Sequence, residues 1–282
     1  MRVPRKLILV LLLSVFILPL AAQAALFALQ DRPRSWRDAD WSSVGMLPKA
    51  AAHAEARLLV LSGRTGGLKG VFAVHSWIVL KPENARAWSR YDVVGWGNPV
   101  RLNGWAPDGR WFGGTPIVVA DVRGAEAAAL IPKVEAAVRD YRFANAGDYR
   151  MWPGPNSNTF VATVLRAVPE LGAALPSNAV GKDFRDEGFY LGLSDSRTGV
   201  EISLWGILGC KIGWVEGVEF NLLGLVAGVD LRRPALKLPG LGLLGIGFPP
   251  ASAAPADRNE TLIPSVYFSP PNGARAPTHK HG

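Results

Sequence analysis

The sequence predicts an α+β fold: an antiparallel sheet with helices packed on it, a Gly-rich β region towards the C-terminus, and an apolar helix at the N-terminus. Three observations carry this. Short runs rich in β-branched and aromatic residues recur between Arg57 and Val122. From Gly124 the apolar period changes to steps of three and four. After Lys182 apolar segments return, broken by glycine too often for a helix.

Met1–Lys6 carries Arg2, Arg5 and Lys6 and runs into the apolar stretch Leu7–Ala22. A basic flank followed by an apolar stretch marks an export signal. Ala22-Gln23-Ala24 has the small-x-small pattern of a cleavage site, so cleavage after Ala24 and retention as a membrane anchor both fit. With no Cys in this region, lipoprotein anchoring is excluded. Residues 1–24 are thus a signal or anchor, placing the protein in the periplasm or on the inner membrane. Residues 25–56, with Trp36 and Trp41 among charges and no period, read as a linker.

A folded domain is expected over 57–185. Arg57–Ser62, Val71–Leu80, Trp88–Trp96 and Pro116–Val122 read as strands. The GRTGGLKG loop after the first lacks the Gly-Lys-Ser/Thr ending of a phosphate-binding loop and reads as a hairpin turn. In Gly124–Tyr141, residues Ala128, Ile131, Val134, Val138 and Tyr141 form the apolar stripe of a helix. The rigid Trp152-Pro153-Gly154-Pro155 then launches a second helix, with Phe160, Val161, Val164, Leu165 and Val168 on one face. Residues 186–248 read as a β extension, because Glu201, Lys211, Glu216, Glu219 and Asp230 interrupt every candidate membrane span. LPGLGLLGIGF within it is apolar enough to face lipid, and 249–282 reads as a Pro-rich tail.

Composition narrows the function. One Cys among 282 residues excludes disulfide scaffolds and multi-thiolate metal sites. The net charge is +8, yet the basic residues are scattered singly, which argues against nucleic acid and for attraction to a membrane surface or an anionic envelope polymer. No motif calls for a cofactor or a metal, and His279-Lys280-His281 would hold a metal only weakly.

Chemistry concentrates at His75, within the strand VHSWIV, and at Asn156-Ser157-Asn158, at a helix start where free N–H groups and the dipole favour an anion. A nucleophile at a helix start facing a strand His suits acyl transfer. The third member would lie on the strand after His75: Asp92 or Tyr91, which alternation puts on opposite faces. Asn156 and Asn158 suit capping or oxyanion donation, capping being the commoner role. Trp77, Trp96, Trp105, Trp111 and Trp152 suit either a ligand cleft or a core. Cys210, in ILGCKIG, reads as a small buried hydrophobe.

The string HSWIV, YDVVGWG, WPGPNSNTF and GKDF is similar to the bacterial family of unknown function catalogued as DUF3750. NSNTFV also resembles the N-C-x-H-F motif of circularly permuted papain-like proteins, such as the lecithin:retinol acyltransferase-like and PPPDE peptidase groups, in which a strand His precedes a nucleophile opening a later helix. The resemblance implies a permuted papain-like fold with His75 as base, Ser157 as nucleophile and Phe160 as a core anchor. Ser157 stands where those groups carry Cys, and a hydroxyl needs a well-aligned base where a thiol does not. The expectation is an exported envelope protein acting as a Ser/His hydrolase or transferase on envelope peptides or lipids, with His75, Ser157 and Asp92 catalytic. Its rival is a non-catalytic module of the same fold, binding an envelope ligand through Asn156, Asn158, Trp77, Trp96 and Trp152 or serving as a membrane-associated structural protein.

Overall fold

The computed structural model describes residues 4–232 and 234–245. The tail expected over 249–282, with His279 and His281, lies outside the described residues, as does the end of the LPGLGLLGIGF segment.

The N-terminal helix α1 runs over Arg5–Ala28, with one wider π-type turn at Leu13–Ile17. It is long and apolar enough to cross a membrane, and most of its surface is exposed. It also touches the body. Leu13–Ile17 meets strand β10 (Leu225–Asp230), and the C-terminal half meets Gly67–Val71. Phe16, Gln23 and Phe27 are buried, and the Arg32 guanidinium stacks 2.9 Å from the Phe27 ring centre.

Five antiparallel strands, β1 (Arg57–Arg64), β2 (Val74–Lys81), β3 (Ser89–Val93), β4 (Val100–Leu102) and β5 (Ile117–Arg123), form the first sheet in the order β4-β3-β2-β1-β5. Helix α2 (Gly124–Arg139) follows β5 directly. Helix α3 (Ser157–Ala167) packs on β2 and α2. The period-2 alternation of β1 and β2 gives each sheet face its own core. On the helix face, Leu58, Val60, Val74, Ile78 and Leu80 meet Leu130, Val134, Phe160 and Val164. On the other face, Leu59, Leu61, Trp77 and Val79 lie with Trp111 and Val94.

The segment expected to be a linker instead covers this second face. Trp41 packs edge-on against Trp111 at 5.1 Å between ring centres, and buried Asp108 accepts hydrogen bonds from Ser43 Oγ (2.6 Å) and the Met46 N–H (2.7 Å). These partners lie more than sixty residues away in sequence, which is why local patterning gives no sign of them.

The C-terminal region is a seven-stranded antiparallel meander: β6 (Phe189–Leu193), β7 (Gly199–Leu204), β8 (Leu208–Gly213), β9 (Gly217–Leu222), β10, β11 (Ala235–Leu238) and β12 (Gly242–Gly245). Its polarity is inverted. The row Leu193, Val200, Ile212, Val218, Val229, Leu236 and Leu244, set side by side by the register, faces outward with every member but Val218 exposed. The alternating row Glu201, Lys211, Glu219 and, beyond Gly228, Lys237 faces inward and is buried.

Candidate functional site

His75, the second residue of β2, shares the second face of the first sheet with Trp77. Its ring stacks on Trp111 at 3.8 Å between centres and 8° between planes. Gly63 lies opposite it on β1, where a Cβ would come within 2.8 Å of Trp111 Cβ, so this indole fits only over a glycine. His75 Nε2 lies 2.8 Å from Asp92 Oδ1 on β3. Arg90, two residues before Asp92 and so on the same face, grips that carboxylate with Nε at 2.7 Å and Nη2 at 2.8 Å. Its guanidinium also donates to the Ala106 carbonyl (2.7 Å) and stacks 4.1 Å from the Trp77 ring centre. All three polar side chains are buried.

The charges follow from this packing. Burial pushes the His75 imidazole below its ordinary value, outweighing the support from Asp92. Burial alone would lift Asp92, but the hydrogen bonds from His75 and Arg90 prevail and hold it below the usual carboxylate range. The array is therefore a neutral His75 donating from Nε2 to an Asp92 carboxylate whose charge Arg90 balances. Of the two candidate partners, Asp92 reaches His75, whereas Tyr91 packs on the helix-face core.

Ser157 opens α3 on the other side of the sheet. Helix α3 packs on the face of Val74, Ile78 and Leu80, while His75 points with Trp77 to the opposite face. No hydrogen bond joins His75 and Ser157, so the structure unites His75 with Asp92 and leaves Ser157 apart. Asn156 is the helix N-cap. Its Oδ1 accepts from the N–H groups of Asn158 (2.9 Å) and Thr159 (3.1 Å), and its Nδ2 donates to the carbonyls of Met151 and Val180, both at 3.0 Å. Asn158 Nδ2 bridges the Val74 and Val180 carbonyls at 2.9 Å each. With Thr159 Oγ1 donating to the Gly181 carbonyl (2.7 Å), these side chains clasp the GKDF segment to the helix start. Gly181 has φ +93°, and a Cβ there would come within 2.2 Å of Asn156 Nδ2.

The tryptophans do not form one cleft. Trp77 and Trp111 are core, Trp96 is exposed and meets Trp105 edge-on at 6.5 Å, and Trp152 donates from Nε1 to the Leu223 carbonyl on the meander.

A second polar assembly was not foreseen. Lys182 and Asp183 of GKDF enter the buried charged face of the meander. Lys211 Nζ lies 2.9 Å from Asp183 Oδ1 and 2.7 Å from Asp195 Oδ2, and Lys182 Nζ lies 2.5 Å from Glu219 Oε2, while Glu219 Oε1 pairs with Lys237. Arg185 pairs with Glu201 and Asp195. Burial would lower Lys211, but Asp183, Asp195, Glu201 and Glu219 outweigh it and hold the ammonium well above its ordinary value. Asp183 and Asp195 are held far below the usual range, because Lys182, Lys211, Arg166 and Arg185 overcome the desolvation that would raise them. Arg90 and this charged row carried signals in the sequence, an Arg and Asp at i and i+2 on a strand and alternating charges along strands. Neither pattern says which face is buried.

Fold and sites together define a two-sheet α+β protein with a buried Arg–Asp–His array in one sheet and an ionic core beneath the other. Residues 55–184 match the model of the family described as Protein of unknown function (DUF3750), which supports assigning this segment to that family. The match ends at the GKDF clasp, before the meander. No curated protein and no solved structure matches the chain.

Proposed function

We propose that this protein is a membrane-anchored, non-catalytic module of the cell envelope, its first sheet a permuted papain-like scaffold kept for its structure. The observation that carries the reading is the seating of α1 on the body. Phe16 and Gln23 are buried, and the backbone of Gly240 approaches so closely that a Cβ there would lie 3.0 Å from Leu20 Cδ2. All three side chains precede Ala24, and a segment discarded on export would have no cause to fit the mature protein. The order of strand His before helix supports the papain-like relationship. The commitment of His75 to Asp92, on the face away from Ser157, supports a scaffold without a working nucleophile.

Membranes from an expressing bacterium, washed at alkaline pH, test the anchor. The full chain, with residues 5–28 recovered by mass spectrometry, is expected in the pellet. A soluble envelope form starting at Ala25 would overturn it.

A further inference from the structure

We propose that the outward face of the seven-stranded meander is a lipid-binding surface on which the protein rests against the bilayer, beside its helix. This extends the anchored reading and rests on it. In an antiparallel sheet with one face covered, the open face is ordinarily polar. Here the covered face holds the charges, and Ile202, Phe220, Ile212 and Leu236 stand exposed on the open one. Six strand spacings of about 4.8 Å and strands of at most about 20 Å give an apolar patch of several hundred Å2, the size at which an exposed patch on a monomer is often a binding surface.

The occupant follows from three observations. First, α1 touches this sheet at β10 through Leu13–Ile17, and from Phe16 onward the helix is seated on the body, so its exposed first half, with Leu9, Leu11 and Leu13, projects beside β10. The medium of so apolar a segment is lipid, which sets β10 at the membrane surface. Second, Trp205 and Trp214 stand exposed in the turns at either end of β8, where amphipathic rings flank an apolar band as they do at bilayer interfaces. Third, the net charge of +8 favours anionic head groups. The strands are six residues long or shorter, against the roughly 9–11 needed to span, and among the described residues β6 and β12 are the edge strands of a sheet that does not close. The sheet therefore lies on the membrane with its side chains in the interfacial zone, and does not cross it.

The single thiol, Cys210, sits in the outward row between Ile202 and Phe220 and serves as the probe. The full chain is labelled there with bimane and reconstituted in phosphatidylcholine–phosphatidylglycerol vesicles. Flotation reads the anchor, and quenching reads the sheet. Expected are strong quenching by acyl-chain nitroxides and a severalfold loss of iodide quenching relative to the chain unfolded in urea. In the I202D/F220D variant, flotation persists and nitroxide quenching falls severalfold. Vesicle-bound protein whose bimane is open to iodide and untouched by nitroxide overturns the proposal and leaves the anchor standing. So does efficient thiol cross-linking of Cys210 between two copies, which would make the face a dimer interface. Failure of the unsubstituted chain to float overturns both.

Discussion

Replacing Lys211 by Met removes the ammonium at the centre of the ionic core while keeping most of the side-chain volume. Its Nζ lies within 2.9 Å of Asp183 and Asp195 and 3.3 Å from Glu201. Breaking a buried pair from one side costs about 3–5 kcal/mol, because the remaining charge stays desolvated without compensation. Here each carboxylate retains another cation: Lys182 for Asp183, Arg166 and Arg185 for Asp195, and Arg185 for Glu201. The lower end, about 3 kcal/mol, is therefore expected. Urea unfolding of the full chain in mild detergent, followed by tryptophan fluorescence, measures it. A loss below about 1 kcal/mol, the worth of an exposed pair, would refute the reasoning, because the network would then behave as a solvated one.

Three further outcomes follow from the buried polar groups and the helix clasp. Stability should fall as pH drops below His75's ordinary value of 6.5, because the unfolded chain then takes up a proton that the folded imidazole resists. This decline in the urea midpoint should flatten in His75→Gln, and a second loss should follow in the carboxylate range as Asp92, Asp183 and Asp195 are forced to protonate. Asp92→Asn leaves the buried Arg90 guanidinium without its counter-ion and should cost about 3–5 kcal/mol by the same measurement. Gly181→Ala, at φ +93° and against Asn156, should cost about 1–3 kcal/mol and lower the melting temperature, whereas Gly67→Ala, also at positive φ but in open space, should cost less.

Much of this architecture was legible from the sequence. The apolar runs of β1, β2, β3 and β5 and the stripe through Ile131, Val134 and Val138 are local signals, and the structure places strands and a helix on them. Strand β4, three residues between turns, is too short to show a period. The Asn156 cap was legible because Asn at a helix start has one common task. What the sequence withheld was orientation. Alternation says that His75 and Val74 point to opposite faces, but only the packing of α3 on Val74 decides that Ser157 lies away from His75. Likewise Val200-Glu201-Ile202 on β7 reads as an ordinary amphipathic strand with its carboxylate in water. The structure turns it over, because Glu201 finds Arg185 and Lys211 from distant segments. Period 2 fixes that a strand has two faces, and long-range partners fix which one is buried.

The sheet that parts His75 from Ser157 decides between a scaffold and an enzyme. A fluorophosphonate probe applied to the full chain in native membranes, with an added serine hydrolase as positive control, tests it directly. The control should be labelled while peptide mapping finds Ser157 unmodified. A probe adduct on Ser157 that disappears in His75→Gln would contradict it, since that dependence requires the imidazole to reach the hydroxyl.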